Sequence, residues 1–213
     1  MSSAPIETLH AEIHACRKCV LSGHIESASP RAWGRAPARY MVIGQAPSLT
    51  DSNTEEMYLG PAGVKLRGWL REAGFAEEDF GTKVYMTAVT KCFPGRNPGS
   101  SKDRAPSRIE RENCRPWLTA QIHLVSPKLV VLFGKMAIAA FLGGKLRLEE
   151  CIGRAYDRLG TVYAPLPHSS GASTWLNDPS HRAQLARAIE LIRVLRAAVD
   201  ADAPLTEELL TKL

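Results

Sequence analysis

Short apolar runs punctuate the chain at residues 40–44, 84–90, 128–133 and 161–166. Each is rich in β-branched or aromatic residues and ends in Gly, Pro or a polar turn, so each predicts a strand. Between and after them the apolar positions fall at helical spacing, which predicts helices over 62–73, 107–125, 134–142 and 179–199. Asp178 followed by Pro179 marks the start of the last one: an acceptor at the N-cap, then a proline where no N–H is needed. A further short helix is expected over 206–213.

Strands alternating with helices predict an α/β fold, three layers in the order α/β/α, around a central four-stranded, mainly parallel sheet with right-handed crossovers. Sheets of this kind bind ligands outside the carboxyl ends of their strands. The segments that matter are therefore Gly44-Gln45-Ala46-Pro47-Ser48, Thr90-Lys91-Cys92, Phe133-Gly134-Lys135 and Pro167-His168-Ser169-Ser170-Gly171. If the fold is right, they converge on one rim.

With 213 residues and 45% hydrophobic content, the chain is large enough for one sizeable core. The expected organisation is a single domain over 1–213, with the N-terminal segment 1–38 packed on it. The start of the chain lacks the apolar stretch of a secretory signal, and no uncharged run is long enough to cross a bilayer. A cytoplasmic, intracellular, nucleoid-associated protein with no membrane partner is expected. The net charge of +5 suits a polyanionic partner without requiring one. Arg96, Lys102, Arg104, Arg108 and Arg111 crowd one stretch and are expected to contact phosphates; a solvated basic face is the plainer alternative.

Five cysteines make an odd number, and in a reducing compartment clustered cysteines signal metal or redox chemistry more often than disulfides. Cys16 and Cys19 form a C-x-x-C pair; Cys92 follows the second strand and Cys114 lies in the next helix. Together they offer the four thiolates that an iron–sulfur cubane or a zinc ion needs. Alternatively the C-x-x-C is a redox pair and the other two are apolar fillers. Cys151, after an acidic pair, reads as structural.

In chain order stand Cys16-Arg17-Lys18-Cys19, Gly44-Gln45-Ala46-Pro47, Tyr58-Leu59-Gly60-Pro61-Ala62-Gly63, Tyr85-Met86-Thr87-Ala88-Val89-Thr90-Lys91-Cys92, Cys114-Arg115-Pro116-Trp117-Leu118 and His168-Ser169-Ser170-Gly171. Taken together these resemble the uracil-DNA glycosylase superfamily, especially its iron–sulfur branches, families four and five, from Cys16 to about Trp175. The resemblance implies a base-excision repair enzyme that flips uracil or another deaminated base out of DNA and hydrolyses its N-glycosidic bond, leaving an abasic site. It implies a [4Fe–4S] cluster on Cys16, Cys19, Cys92 and Cys114, with zinc as the alternative. The partner is DNA containing uracil or another deaminated base, and the chain is expected to act as a monomer. Water is the expected nucleophile in a monofunctional reaction, although Lys91 and Lys135 near strand ends leave a lyase step open. Two other readings are carried: a slow or inactive uracil- or abasic-DNA-binding protein on the same fold, and a metal-bearing DNA-binding module whose likeness is architectural only.

By the same resemblance, His168 donates to O2 of the leaving base. Main-chain N–H groups of Gly44, Ala46 and their neighbours at the Pro47 turn approach the base, and Gln45 holds a water. Asp51, the nearest carboxylate, is a candidate water-activating base or cation stabiliser; a loop Asp is otherwise usually solvated or caps a helix. Tyr58 stacks on the extruded base, and Ser170, Gly171, Ala172 and Ser173 form a wedge for the gap in the duplex. The sequence also departs from family four. Gln45 stands where an acidic residue is usual, Ala88 where an Asn reads the uracil edge, and His168-Ser169-Ser170 where His-Pro-Ser is usual. The wedge run resembles the intercalating loop of mismatch-specific uracil glycosylases. Without an amide at Ala88, discrimination would rest on backbone groups and His168, which suggests that hypoxanthine or xanthine is also admitted.

Overall fold

The computed structural model describes residues 4–169 and 175–206. The elements run α1 (Ala4–Ala15), α2 (Lys18–Leu21), β1 (Tyr40–Gly44), α3 (Pro61–Glu72), β2 (Val84–Ala88), α4 (Arg108–Val125) and β3 (Leu129–Phe133). There follow α5 (Lys135–Leu142), α6 (Leu148–Cys151), β4 (Tyr156–Arg158), β5 (Thr161–Leu166) and α7 (Pro179–Asp200).

The sheet has five strands in the order β2-β1-β3-β5-β4, one more than the four expected. The additional strand, β4, is three residues long, polar and half exposed, so it lacks the apolar pattern that marks the others. It pairs antiparallel with β5, while β2, β1, β3 and β5 are mutually parallel. Each residue of β1, β2 and β3 is buried, as strands covered by helices on both faces must be. Helix α3 packs with α7, and α1 with α4. Ile6, Leu9 and Ile13 form the buried stripe of α1, an amphipathic pattern absent from the expected elements. Of the short helix expected over 206–213, all but Thr206 lies outside the described residues.

The order of the strands locates the crevice. From β1 the chain crosses to β2 on one side, then returns past β1 to β3 on the other. Right-handed crossovers therefore send α3 and α4 to opposite faces, and the loops leaving β1 and β3 diverge. Their carboxyl ends, Gly44 and Phe133, flank the switch point.

Helix α4 carries Cys114 and Trp117, so its start must be fixed. Ser107 caps it, accepting from Glu110 N at 3.3 Å, while Glu110 accepts from Ser107 N at 2.6 Å. The same buried carboxylate takes two bonds of 2.8 Å from the Arg104 guanidinium. Burial alone would raise the Glu110 carboxyl, but the hydrogen bonds from Arg104 and Ser107 outweigh it and hold it down to about 2, against an ordinary 4.5. A folded value below the unfolded one means stabilisation that is complete above pH 4.5 and is lost as pH falls toward 2. Glu110→Gln is expected to cost roughly 2–3 kcal/mol in urea unfolding at pH 7, with the gap to wild type closing below about pH 3.

Candidate active site and cysteine cavity

The strand ends are tied to one another beyond the sheet. Val89 N donates to Gly44 O at 2.9 Å and Thr90 N to Gln45 O at 3.2 Å, so the backbone after β2 is laced to the turn after β1. This is why β2 stops at Ala88, before the expected Thr90: the lacing continues, but the strand has begun to bend away. Ala88 pairs directly with Gly44 and is buried.

Tyr58 closes this corner from below. Its hydroxyl donates to Thr87 O at 2.5 Å and accepts from the Gly44 N–H. Its ring packs edge-on against Phe133, with centroids 6.3 Å apart. A Cβ on Gly44 would lie 2.7 Å from the Tyr58 hydroxyl, so only glycine fits there. Tyr58 itself has φ 64°, a left-handed conformation that a bulky residue adopts at a cost of about 1–2 kcal/mol. Gly63 permits it, since a Cβ at 63 would lie 2.3–2.4 Å from the Tyr58 backbone. On the far side of the switch point His168 stacks on Phe133, with centroids 4.8 Å apart and planes at 25°. Half-burial holds the His168 imidazole below its ordinary 6.5, which favours the neutral ring. Ser169 Oγ donates to Ala62 O at 2.7 Å, fastening the histidine segment to the start of α3. Gly44, Tyr58, Phe133 and His168 thus form one line of contacts at the switch point.

Asp51 is 4% exposed, and its carboxylate is committed to the loop. Oδ2 accepts from Ser48 N and Ser48 Oγ, both at 2.8 Å, and Oδ1 accepts from Leu59 N at 2.8 Å. These bonds clasp the two ends of the 48–59 excursion, so the carboxylate is neither solvated nor a helix cap. Gln45 and Ala46 are half buried and Pro47 is buried on the crevice side of that clasp.

The four cysteines line a second cavity, of about 430 Å³ with its mouth included, walled also by Lys91 and Trp117. Cys114 is buried; Cys16, Cys19 and Cys92 are half buried. Backbone N–H groups of Ser29 and Lys91 donate to the sulfurs of Cys92 and Cys114, and Asn113 Nδ2 donates to Cys19 Sγ at 3.6 Å. Trp117 Nε1 is buried and has no hydrogen-bond partner among the described residues. Among those residues no three His, Cys, Asp or Glu side chains are grouped so as to hold a single metal ion. Cys151 is buried on α6, away from this cavity.

Lys91 is 1% exposed and joins a buried polar chain behind the strands. It donates to Ala88 O and to Thr87 Oγ1; Thr87 bonds Gln121 at 2.9 Å, Gln121 bonds the Tyr85 hydroxyl at 2.8 Å, and Tyr85 bonds His10 at 2.6 Å. Lys135 is exposed at the start of α5. Of the basic cluster, Arg104 is consumed by Glu110 and His24 O, and Arg108 pairs with Glu112 at 2.5 Å. Arg96, Lys102 and Arg111 are exposed. The expected wedge, Ser170, Gly171, Ala172 and Ser173, lies outside the described residues. Among the described residues no helix is long and apolar enough to cross a membrane.

The sequence profile of the uracil DNA glycosylase superfamily matches residues 32–191. The chain belongs to this superfamily. Over 157 residues it is 31% identical to the type-4 uracil-DNA glycosylase of Pyrobaculum aerophilum, covering 74% of this chain and 71% of that protein. Identity to the type-4 enzyme of Thermotoga maritima is 32% over 128 residues, 60% of this chain and 62% of the relative. The type-5 uracil-DNA glycosylase of Pyrobaculum aerophilum is 30% identical over 186 residues, 79% and 75% of the two chains.

In this uracil DNA glycosylase superfamily member, Phe133 and Trp117 stand within segments that the sequence marks, a strand end and the Cys114 motif, but without a role of their own there. Arg31 carried no signal, because its importance lies in tertiary partners. Asp51→Ala is expected to cost about 2–3 kcal/mol in urea unfolding, since it strips acceptors from buried donors of the loop. A cost below about 0.5 kcal/mol would show the carboxylate to be spare.

Proposed function

We propose that the chain is a base-excision repair glycosylase that extrudes uracil from DNA and hydrolyses its N-glycosidic bond. The observation that carries this reading is the line of contacts at the β1/β3 switch point that joins Gly44, Tyr58, Phe133 and His168 in a member of the superfamily. The chain is read as one domain acting as a monomer on DNA, with Arg96, Lys102 and Arg111 left for phosphates.

Cleavage builds negative charge on the leaving base and positive charge on the sugar. A neutral His168, held flat against Phe133, donates to O2 of the base as that charge grows; neutrality is what its burial favours. The aromatic wall of Tyr58 and Phe133 receives the ring. Main-chain donors at Gln45 and Ala46 take the base edge, because the Gly44 and Ser48 amides are engaged by Tyr58 and Asp51. The Gln45 side chain orients the water. Asp51 acts through the loop it clasps. The His168 segment leads into Ser170, Gly171, Ala172 and Ser173, the wedge of this reading.

Single-turnover excision from a uracil-containing duplex tests the proposal. His168→Ala is expected to lower the rate by about 10²–10³-fold. The wild-type rate should hold as pH falls through 6.5, the ordinary histidine value, and decline only below it. Absence of cleavage together with tight retention of abasic DNA would favour the binding protein instead. Parallel duplexes with hypoxanthine and xanthine decide whether Ala88 widens the range.

The residues around the cysteine cavity fit an iron–sulfur cluster. Four thiols lining one shared space suit a four-thiolate centre, and Trp117, whose N–H has no partner among the described residues, is one of its walls. Cys16, Cys19, Cys92 and Cys114 would hold the cluster, which supplies a rigid cross-link between the N-terminal segment and the loop after β2. Trp117→Phe keeps the volume and removes the donor. It is expected to leave iron content unchanged while moving the reduction potential to a more negative value and altering the visible absorption.

A further inference from the structure

Residues 28–31 join the cysteine cavity to the turn at Asp51 and Ser52. On one side Ala28 and Pro30 line the cysteine cavity, the Ser29 N–H donates to the Cys92 sulfur, and Arg31 N donates to Lys91 O at 2.6 Å. On the other side, the half-buried Arg31 guanidinium donates from Nε to Asp51 O at 3.0 Å and from Nη2 to Ser52 O at 2.6 Å. Ser29 Oγ donates to Ser52 O at 2.6 Å, and Arg31 Nη2 braces Ser29 Oγ at 3.1 Å. The carbonyls so held belong to the turn whose Asp51 carboxylate fixes Ser48 and Leu59.

We infer that Arg31 is a positioning residue for the base-binding loop, and that the segment 28–31 is a strap by which the cysteine-bound side of the molecule sets the geometry of residues 48–59. The argument is one of donors and acceptors. Asp51 has already spent its carboxylate on the loop, so the turn's own carbonyls are what remains to anchor it. A planar guanidinium reaches two adjacent carbonyls from one fixed side chain, which a single ammonium cannot do equally well. Displacing Asp51 moves Ser48 and Leu59 with it, and these flank the Gly44–Pro47 turn and Tyr58. Misplacement of reacting groups by about 1 Å costs up to ~10²-fold in rate without any loss of binding contacts.

This inference rests on the glycosylase reading, and its test separates the two. Full-length, cluster-loaded wild type, Arg31→Ala, Arg31→Lys and Ser29→Ala, matched in visible absorption, are compared in single-turnover uracil excision over a range of DNA concentrations. Arg31→Ala is expected to lower the maximal rate by about tenfold or more, with the half-saturating DNA concentration within about twofold of wild type. Arg31→Lys should recover part of the rate, and amide exchange at residues 48–59 should quicken in Arg31→Ala and, more mildly, in Ser29→Ala. Wild-type rate and exchange in loaded Arg31→Ala would overturn the inference. So would a loss seen wholly in the half-saturating concentration, which would make Arg31 a DNA contact. If Arg31→Ala fails to load its cluster, Ser29→Ala decides, because it keeps the amide on Cys92 and removes only the hydroxyl that bonds Ser52 and Arg31. If the wild type leaves uracil DNA uncut, the glycosylase reading falls while the exchange data still decide the strap.

Discussion

Strand β1 stands where the chain reverses its direction of travel across the sheet, and the rest of the molecule is organised by that reversal. Parallel strands joined by right-handed crossovers cannot change direction without sending successive helices to opposite faces. The loops leaving β1 and β3 then part, and the gap between them has nothing of regular structure to fill it. Here it is bordered by a glycine, two aromatic rings and a histidine. A gap between loops of this origin is built into the topology. What does need explanation is why the irregular loops around it hold one shape.

The answer lies in buried polar bonding. The loop from Gly44 to Gly63 has few apolar side chains with which to pack, and it contains a tyrosine in a left-handed conformation. Asp51 satisfies three donors from within the loop, and Tyr58 ties the ends of β1 and β2. Ser169 fastens the histidine segment to α3. Each such bond contributes about 1 kcal/mol net, but its loss would strand a buried group at about 1–3 kcal/mol, so the loop resists partial opening. Rigidity of this kind suits a site that must stabilise developing charge without reorganising.

Much of this architecture was legible in the sequence, and the reasons for the exceptions are physical. The buried parallel strands have continuous apolar runs because both faces are covered, so β1, β2, β3 and β5 could be read directly. The edge strand β4 is held by its hairpin with β5, and its polar residues carry no such mark. Helix α1 had its stripe at Ile6, Leu9 and Ile13, but attention to the nearby C-x-x-C pair hid it. Asp51 and Arg104 illustrate a different limit. A loop carboxylate beside a motif invites a catalytic reading, and an arginine in a basic stretch invites a phosphate. Only tertiary partners (Ser48 and Leu59 for the one, Glu110 for the other) reveal that both are occupied.

The buried lysine behind β2 bears on how a base would be read. Ala88 offers no side-chain amide, and its carbonyl already accepts from Lys91 Nζ, so neither part of this residue is an open polar contact for a ligand. Lys91 is in turn held by Thr87, within a chain that runs through Gln121 and Tyr85 to His10 on α1. The end of β2 is thus polar on its inner side and plain on the side that pairs with Gly44. The polar side chains that remain at this end of the sheet belong to the turn after β1 and the segment after β5: the Gln45 amide and the His168 imidazole.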